Sequence, residues 1–183
     1  LLTGPGVPFL YYGEEIGMTG TKPDERIRTP MHWENSDLGG FTTANSVWEP
    51  LQDAENIATA NVADQNNDSD SLLNHYRDMI HLRNANPALL MGDLTAVDSS
   101  NRQVYAYLRH TGEQTLLVII NLGDEAVTDY SLTLDDSELD LSSASLIYGG
   151  VDVVSPDINS GGGFDAYTPL SELAPYSTIV IEF

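Results

Sequence analysis

The sequence contains no cysteine, one lysine and no long hydrophobic run within its 183 residues. Without cysteine the chain forms no disulfide and has no thiol nucleophile, although this absence leaves the cellular compartment undecided. No stretch approaches the ~20 apolar residues that a membrane-spanning helix requires. Basic residues are scarce as well, since seven Lys and Arg stand against 28 Asp and Glu and give a formal net charge of −21.

This charge narrows the classes of partner that the chain can bind. Nucleic acids and anionic membranes are bound by basic patches, so we expect neither as a partner. A neutral ligand such as a sugar is favoured only by elimination. An acid-rich surface on which Lys22 is the single lysine fits a halophilic protein, because high salt screens self-repulsion. An ordinary acidic secreted protein fits the composition equally well.

Residues 9–12, a short apolar run followed by Gly13, organise the N-terminal half of the chain. Pro8 can open a strand because it lacks an N–H, and the run predicts a buried parallel strand. Glu14 and Glu15 follow at the carboxyl end of this strand, where α/β proteins bind ligands. Adjacent residues of an extended strand point to opposite faces, so we interpret both glutamates as hydrogen-bonding residues and not as a catalytic pair.

Residues 19–67 show little regular periodicity and are rich in Gly, Asn, Asp, Thr and Pro. A loop of this length is uncommon unless it is functional, so we expect a large binding loop. It contains Trp33, Phe41 and Trp48, and such rings stack on the apolar face of a sugar. The alternative is that the rings only fix the loop to the protein body, which applies more to Trp48 than to Trp33.

A helix is predicted after this loop, capped by Asp68 or Ser69 and running to about Asn84. It ends before Asn86-Pro87, since the residue before a proline disfavours the α region. Residues 87–92 are predicted to be a linker.

The chain shows no metal-ligand pattern with the correct spacing. Residues 64–70 resemble a calcium loop in composition, but Ser69 stands where the sixth position needs Gly and His75 where the twelfth needs Glu. His75 and His81 lie six residues apart instead of the four of a helical zinc site, so we interpret both as structural or surface residues. We therefore expect no metal ligand and no cofactor in this chain.

The C-terminal half is a series of short strands separated by turn residues. Strands are expected at residues 103–109, 115–120, 129–134, 145–148 and 178–183. Alternation places two sets of side chains each on one face of its strand, namely Tyr130, Leu132 and Leu134, and Ile179, Ile181 and Phe183. Glycine-rich residues 149–163 predict a flexible loop. Several short strands without helices predict an antiparallel β-sandwich.

Motifs in a fixed order run through most of the chain: Pro8-Phe9-Leu10-Tyr11-Tyr12-Gly13-Glu14-Glu15-Ile16-Gly17-Met18, Arg28-Thr29-Pro30-Met31-His32-Trp33, Gly40-Phe41-Thr42-Thr43, Asn61-Val62-Ala63-Asp64-Gln65, Asp68-Ser69-Asp70-Ser71-Leu72-Leu73 and Leu82-Arg83. The series resembles the α-amylase family of glycoside hydrolases, strongly up to about residue 92 and more loosely beyond. The resemblance implies an α/β plus all-β chain. Residues 1–91 would hold the last β/α unit of a (β/α)8 TIM barrel, and residues 92–183 a C-terminal antiparallel β-sandwich domain.

The resemblance also implies that the chain is the C-terminal portion of a longer enzyme. In the family, the nucleophilic Asp, the acid Glu and a stabilising Asp come from the fourth, fifth and seventh barrel strands, which are absent here. We therefore expect no catalytic residue in this chain and no activity from the chain alone. The loop lies at the rim of the sugar-binding cleft in the family, so the expected substrate-binding residues are Arg28, His32, Trp33 and Glu14. For Arg28 the alternative is an ion pair that only fixes the loop.

We expect the full-length protein to hydrolyse α-glucosidic bonds of starch-like glucans with retention, as an α-amylase. Residues 26–33 and 40–43 also resemble oligo-1,6-glucosidases, α-glucosidases and trehalose synthases, whereas residues 19–25 favour an α-amylase. A hypothesis of another class is a non-catalytic module that binds glycan or stabilises a partner.

The expected partners are an α-glucan oligosaccharide or polysaccharide and the missing N-terminal barrel segment. Any calcium is expected on other parts of the full-length protein. The expected location is extracellular or periplasmic, with the cytoplasm of a halophile as the alternative.

Overall fold

The computed structural model describes residues 1–51, 54–150 and 152–183. The chain divides into two compact units: Val7–His81 forms one, and Leu1–Gly6 together with Leu82–Phe183 forms the other. The division falls inside the longest helix. Among the described residues, no helix is both long enough and apolar enough to cross a membrane.

The unit formed by Val7–His81 consists of short helices joined by irregular segments. In chain order these are a 3₁₀ helix (Glu14–Ile16), α1 (Asp24–Ile27), α2 (Ala54–Thr59), α3 (Val62–Asn66) and the first part of α4 (Leu72–Ala85). The predicted long loop therefore contains three helices, while Gln52 and Asp53 within it lie outside the described residues.

Residues 9–12 do not form the predicted buried strand. They have no regular secondary structure, and their side chains are exposed, with Phe9 85% accessible. A parallel strand satisfies its backbone N–H and C=O groups only by pairing with neighbouring strands. The described residues of this unit contain no strand that could serve as a neighbour. The last β/α unit of a TIM barrel is therefore not confirmed.

Helix α3 begins at a cap that the sequence analysis did not identify. Asn61 is fully buried, and its Oδ1 accepts a hydrogen bond from the Asp64 backbone N–H at 2.9 Å. Its Nδ2 donates to the Ile57 carbonyl at 3.0 Å and to the Asp64 carboxylate at 2.8 Å. This one amide caps α3 and fixes the turn that follows α2.

Helix α4 starts later than predicted. Its cap is Ser71, whose Oγ accepts a hydrogen bond from the Asn74 N–H at 3.3 Å. Asp68, a predicted cap, instead accepts from a backbone N–H two residues further on and closes a turn before the helix. The helix ends at Ala85, next to the residue before proline, as predicted.

Residues 87–92 are not the predicted linker. They contain a short helix, α5, Pro87–Met91, with proline in the first turn, where a missing N–H leaves no bond unmade. Ala88 and Leu89 are fully buried and pack against side chains of the sheet that include Tyr107 and Val118. The prediction was wrong because five residues are too few to show a helical period.

The unit formed by Leu1–Gly6 and Leu82–Phe183 contains a seven-stranded antiparallel sheet with the order β5-β7-β3-β2-β1-β4-β6. Its strands are β1 (Asp93–Ser99), β2 (Val104–His110), β3 (Thr115–Asn121), β4 (Leu132–Asp136), β5 (Ser145–Tyr148), β6 (Gly162–Tyr167) and β7 (Thr178–Glu182). Strand β1 pairs with β2 through residues 93–97 and with β4 through residues 98–99. One strand thus belongs to both halves of a curled sheet, and the predicted sandwich of two sheets is not confirmed.

Both halves of the curled sheet contribute to its main core. Leu117 and Ile179 come from one half and Leu132 and Phe164 from the other. The predicted alternation is confirmed, because the two predicted sets of inward side chains all bury in or pack against this core: Tyr130, Leu132, Leu134, Ile179, Ile181 and Phe183.

Strands β2, β3, β5 and β7 lie close to the predicted positions, whereas β1 and β6 were not predicted. Strand β6 begins at the end of residues 149–163, the stretch predicted to be flexible, in which Val151 lies outside the described residues. A Cβ on Gly163 would stand 1.9 Å from the Leu134 carbonyl oxygen. This glycine therefore permits close pairing with β4, and its role is not flexibility.

Candidate functional site

Glu14 and Glu15 lie in the 3₁₀ helix and face different cavities. The Glu14 carboxylate accepts a hydrogen bond from the Tyr76 hydroxyl at 3.3 Å. Burial raises the pKa of Tyr76, and the negative charge of Glu14 raises it further. Glu14 lines a small cavity of about 120 Å³, whereas Glu15 lines a separate apolar cavity of about 380 Å³ beside Tyr76. Consecutive residues of a 3₁₀ helix project about a third of a turn apart, so the two carboxylates do not converge on one bond.

Arg28 follows α1 on an exposed surface. Its guanidinium lies 3.2 Å from the Asp24 carboxylate, with the Arg28 side chain 62% accessible. Lys22 also pairs with Asp24, and Arg26 pairs with Glu49 at 2.8 Å. Exposed pairs of this kind contribute about 0–1 kcal/mol to stability. The Asp24 contact therefore holds Arg28 only weakly and leaves its remaining donors able to meet a ligand.

A cavity of about 280 Å³ lies beside Arg28 and is lined by Phe41 and Trp48, with carboxylates from Glu25 and Glu49. Trp48 is 85% accessible. A ring that only fixes a loop to the protein body would be buried, so this exposure favours a ligand-facing role over the anchoring role. Sequence reasoning named Trp48 but left it out of the binding residues, because exposure is a tertiary property.

Thr29 joins this cavity to that of Glu14, since it lines both. Its backbone carbonyl accepts a hydrogen bond from the Tyr12 hydroxyl at 2.9 Å. The rings of Tyr11 and Tyr12 lie with centroids 4.9 Å apart. Burial and the neighbouring Tyr11 raise the pKa of Tyr12. The segment around Thr29 is thus held by a neutral tyrosine between two adjoining cavities.

His32 and Trp33 are placed differently from Arg28. The His32 ring is buried, 3% accessible, and its Nδ1 lies 3.0 Å from the Ala60 carbonyl. The carbonyl can only accept, so Nδ1 carries the proton of this hydrogen bond. The backbone carbonyls of His32 and Trp33 accept from the first two N–H groups of α3, each at 3.0 Å. His32 therefore fixes the loop.

The structure brings together only some of the predicted substrate-binding residues. Arg28 and Glu14 line adjoining cavities. Among the described cavities, His32 and Trp33 line none, although Trp33 is 53% accessible.

The stretch that resembles a calcium loop in composition takes part in capping a helix. Among the described residues, no group of three or more His, Asp or Glu side chains could hold a metal ion. The carboxylate of Asp64, the first residue of the calcium-like stretch, instead accepts from Asn61 in the cap of α3.

Rings beside carboxylates and guanidinium groups form the type of surface that favours a sugar, by stacking and hydrogen bonding. The fold and site define a helix-and-loop unit with aromatic, carboxylate and guanidinium groups around open cavities, joined in sequence to an antiparallel β domain. Comparison with known proteins matches both parts to family models. A family model described as alpha amylase, catalytic domain, matches residues 1–92. A second, described as maltogenic amylase, C-terminal domain, matches residues 94–147.

The chain belongs to the α-amylase family of glycoside hydrolases. It is 38% identical over 136 residues to alpha-amylase SusG of Bacteroides thetaiotaomicron, covering 69% of this chain and 19% of that protein. It is 37% identical over 132 residues to trehalose synthase/amylase TreS of Mycobacterium tuberculosis, covering 67% and 22%. The crystal structure of alpha-amylase from H. orenii covers 99% of this chain and 33% of its own, at 32% identity and a TM-score of 0.71. The chain thus spans about a fifth of the length of these curated relatives.

Proposed function

We propose that this chain is the C-terminal part of an α-amylase that hydrolyses α-glucosidic bonds of starch-like glucans with retention. The observation that carries the proposal is the open cavity in which Arg28 stands beside Phe41 and Trp48, in a chain of this family. We further propose that residues 1–91 complete the catalytic domain and residues 92–183 form the C-terminal domain.

The proposed role of the site is to hold the sugar chain. The Trp48 and Phe41 rings offer apolar faces for stacking, and the Arg28 guanidinium offers donors to sugar hydroxyls. A retaining glycosidase also needs two carboxyl groups about 5 Å apart around one bond. Glu14 and Glu15 face separate cavities, so we assign neither as nucleophile or acid, and the catalytic pair must come from outside this chain.

A second candidate within the family is a glucosidase or a transglycosylating enzyme. The similarity to a protein named trehalose synthase/amylase and the resemblance of residues 26–33 to oligo-1,6-glucosidases support it. The third candidate, a non-catalytic module that binds glycan, is supported by the absence of a convergent carboxylate pair in the described cavities.

Product analysis of the full-length protein separates the three candidates. The enzyme is incubated with soluble starch, with maltose and with isomaltose, and the first products are followed by proton NMR. An α-amylase releases short maltooligosaccharides from starch, initially as α-anomers. Conversion of maltose to trehalose, or cleavage of isomaltose with starch untouched, would assign the second candidate. Binding of starch without turnover would assign the third.

A further inference from the structure

The aromatic wall of the Arg28 cavity comes from a segment without regular structure. Phe41 and Trp48 line the cavity, and no helix or strand is found in the described residues between α1 and α2. The hydrogen bond between the Thr42 hydroxyl and the Ala44 N–H is local to the segment. Trp48 is 85% accessible, so burial of its own ring does not hold it in place. The position of this ring relative to Arg28 therefore depends on contacts made by its neighbours.

The opposite wall comes from α1 and the residues that follow it. Glu25 and Arg28 line the cavity on this side. The end of α1 lies close to the backbone of Gly20, where an added Cβ would stand 2.6 Å from the Arg26 carbonyl oxygen. The Thr29 carbonyl accepts a hydrogen bond from a tyrosine hydroxyl. This wall is thus fixed at both ends, and it offers a base to which the aromatic wall can be attached.

One ion pair joins the two walls. The Arg26 Nε donates to the Glu49 carboxylate at 2.8 Å, and the two residues are 23 positions apart in sequence. Glu49 follows Trp48 and lines the cavity, whereas Arg26 does not line it. The other two ion pairs among the described residues link positions at most four apart. In the part of the chain that the structure describes, the Arg26–Glu49 pair is therefore the ion pair that spans the cavity.

The Arg26–Glu49 pair is suited to positioning a segment and adds little to folding. The two side chains are 46% and 25% accessible, and pairs exposed in this way contribute little to global stability. Segments without regular structure open locally at small cost, so a weak contact is enough to change how often they open. The contact is made through Nε, so the single ammonium group of a lysine can replace it.

We propose that Arg26 is a positioning residue of the sugar-binding site. Through Glu49 it fixes the segment of residues 41–49 against α1 and sets the spacing between the Trp48 ring and the Arg28 guanidinium. The inference rests on the sugar-binding role proposed above. A glucan must meet the ring and the guanidinium together, and a loose aromatic wall has to be ordered when the glucan binds, which lowers affinity. Affinity for the glucan should therefore depend on Arg26, although Arg26 does not line the cavity.

Hydrogen exchange of the full-length enzyme, followed by mass spectrometry, tests whether Arg26 fixes the segment. In Arg26→Met the backbone amides of residues 41–49 should exchange about 3-fold faster or more than in the native enzyme, and in Arg26→Lys at nearly the native rate. Strand β2 reports general unfolding and should be unchanged. Arg102→Met, at an exposed arginine in the other unit, is the charge-matched control. Native rates at residues 41–49 in Arg26→Met, or an equal acceleration in β2, would overturn the proposal.

Binding of maltoheptaose, measured by calorimetry on the same proteins, tests the consequence for the site. Arg26→Met should raise the Kd about 3-fold, and Arg26→Lys should restore it. The kcat on this sugar should change less than ~2-fold, because Arg26 is expected to act on binding and not on the chemical step. An unchanged Kd in Arg26→Met, or a loss confined to kcat, would overturn the proposal.

A double-mutant cycle shows whether Arg26 acts through Glu49. Glu49 lines the cavity, so Glu49→Gln can alter binding by itself, but Arg26→Met should have no further effect on the Kd in that background. Additive effects of the two substitutions would overturn the proposal. A native enzyme that binds no maltoheptaose would instead refute the proposed function, and the exchange rates would still decide whether Arg26 fixes the segment.

Discussion

At the residue scale, the loop carrying Arg28 and Trp48 decides how the proposed site works. In the full-length enzyme, Arg28→Ala and Trp48→Ala should each lower kcat/KM on maltooligosaccharides about 10-fold or more, equivalent to ~1.4 kcal/mol of transition-state binding. Because both side chains line one cavity, the double variant should lose less than the product of the single losses.

Steady-state kinetics and thermal melts on the same samples check this prediction. Arg102→Ala serves as the control, since this arginine is exposed and lies in the other unit. Loss of folding in Arg28→Ala, with full kcat/KM in the molecules that remain folded, would show that the Asp24 ion pair is the whole role of Arg28.

Three buried tyrosines predict a loss of stability at high pH. Burial raises the pKa values of Tyr107, Tyr130 and Tyr167. A raised pKa means that the folded state holds its proton longer than the unfolded state does. The stabilisation is complete below the unfolded pKa of ~10 and is lost as the pH rises through the folded values. Urea melts at pH ~8 and ~11 should therefore show a lower free energy of unfolding at the higher pH.

Tyr167→Phe is the matched variant for this effect. The Tyr167 hydroxyl donates to the Val154 carbonyl at 2.6 Å. The variant lacks this hydrogen bond, so its free energy of unfolding should be lower by ~1 kcal/mol at pH ~8. Its stability should then fall less between pH ~8 and ~11 than that of the native chain. An equal fall in both proteins would refute a contribution from Tyr167.

The side chains of the site were only partly predictable from sequence. Arg28 was nominated because the family resemblance places its loop at the rim of the sugar-binding cleft, and the structure places it at a cavity. His32 was nominated in the same way, but its ring is buried against the Ala60 carbonyl. Trp48 was left out although its ring is exposed. Local sequence gives the residue type and the loop, whereas accessibility depends on contacts far away along the chain.

At the element scale, helix α5 tests the corrected view of residues 87–92. Leu89 is fully buried against the sheet, whereas Met91 in the same helix is 84% accessible. Leu89→Ala should therefore cost ~2–5 kcal/mol of unfolding free energy in chemical denaturation. Met91→Ala is the control and should stay within ~0.5 kcal/mol of the native chain. Equal, small losses in both variants would restore the linker interpretation.

Strands were predictable where the pattern of apolar residues along the sequence is local and strong. The apolar run predicted β3, and the alternation in β7 and before and within β4 gave the correct faces of the sheet. Strand β1 was missed, and it changes partners along its length. Strand β6 was missed because its glycines resemble a loop while they actually permit close pairing. The strand at residues 9–12 failed for the opposite reason, since its pattern is correct but no partner strand lies in the described part of its unit.

At the scale of the whole molecule, the net charge of −21 should make stability depend on salt. The ion pairs found among the described residues are exposed and few, so most carboxylates repel one another. Screening should raise the melting temperature between ~0.05 M and ~0.5 M potassium chloride, and further towards ~2 M. Concentrated salt also strengthens hydrophobic burial, so the rise at the lower concentrations is the diagnostic one. A flat or falling melting temperature in that range would refute the effect.

The central claim is that this chain supplies part of a sugar-binding surface and none of the catalytic carboxylates. The most direct measurement is hydrolysis of soluble starch and of a nitrophenyl maltoside by the rigorously purified 183-residue chain, with the full-length enzyme as the positive control. The account predicts no turnover by the chain and turnover by the full-length enzyme, including its Glu15→Gln variant, because Glu14 and Glu15 face separate cavities. Clear turnover by the chain alone, abolished by Glu14→Gln or Glu15→Gln, would contradict it.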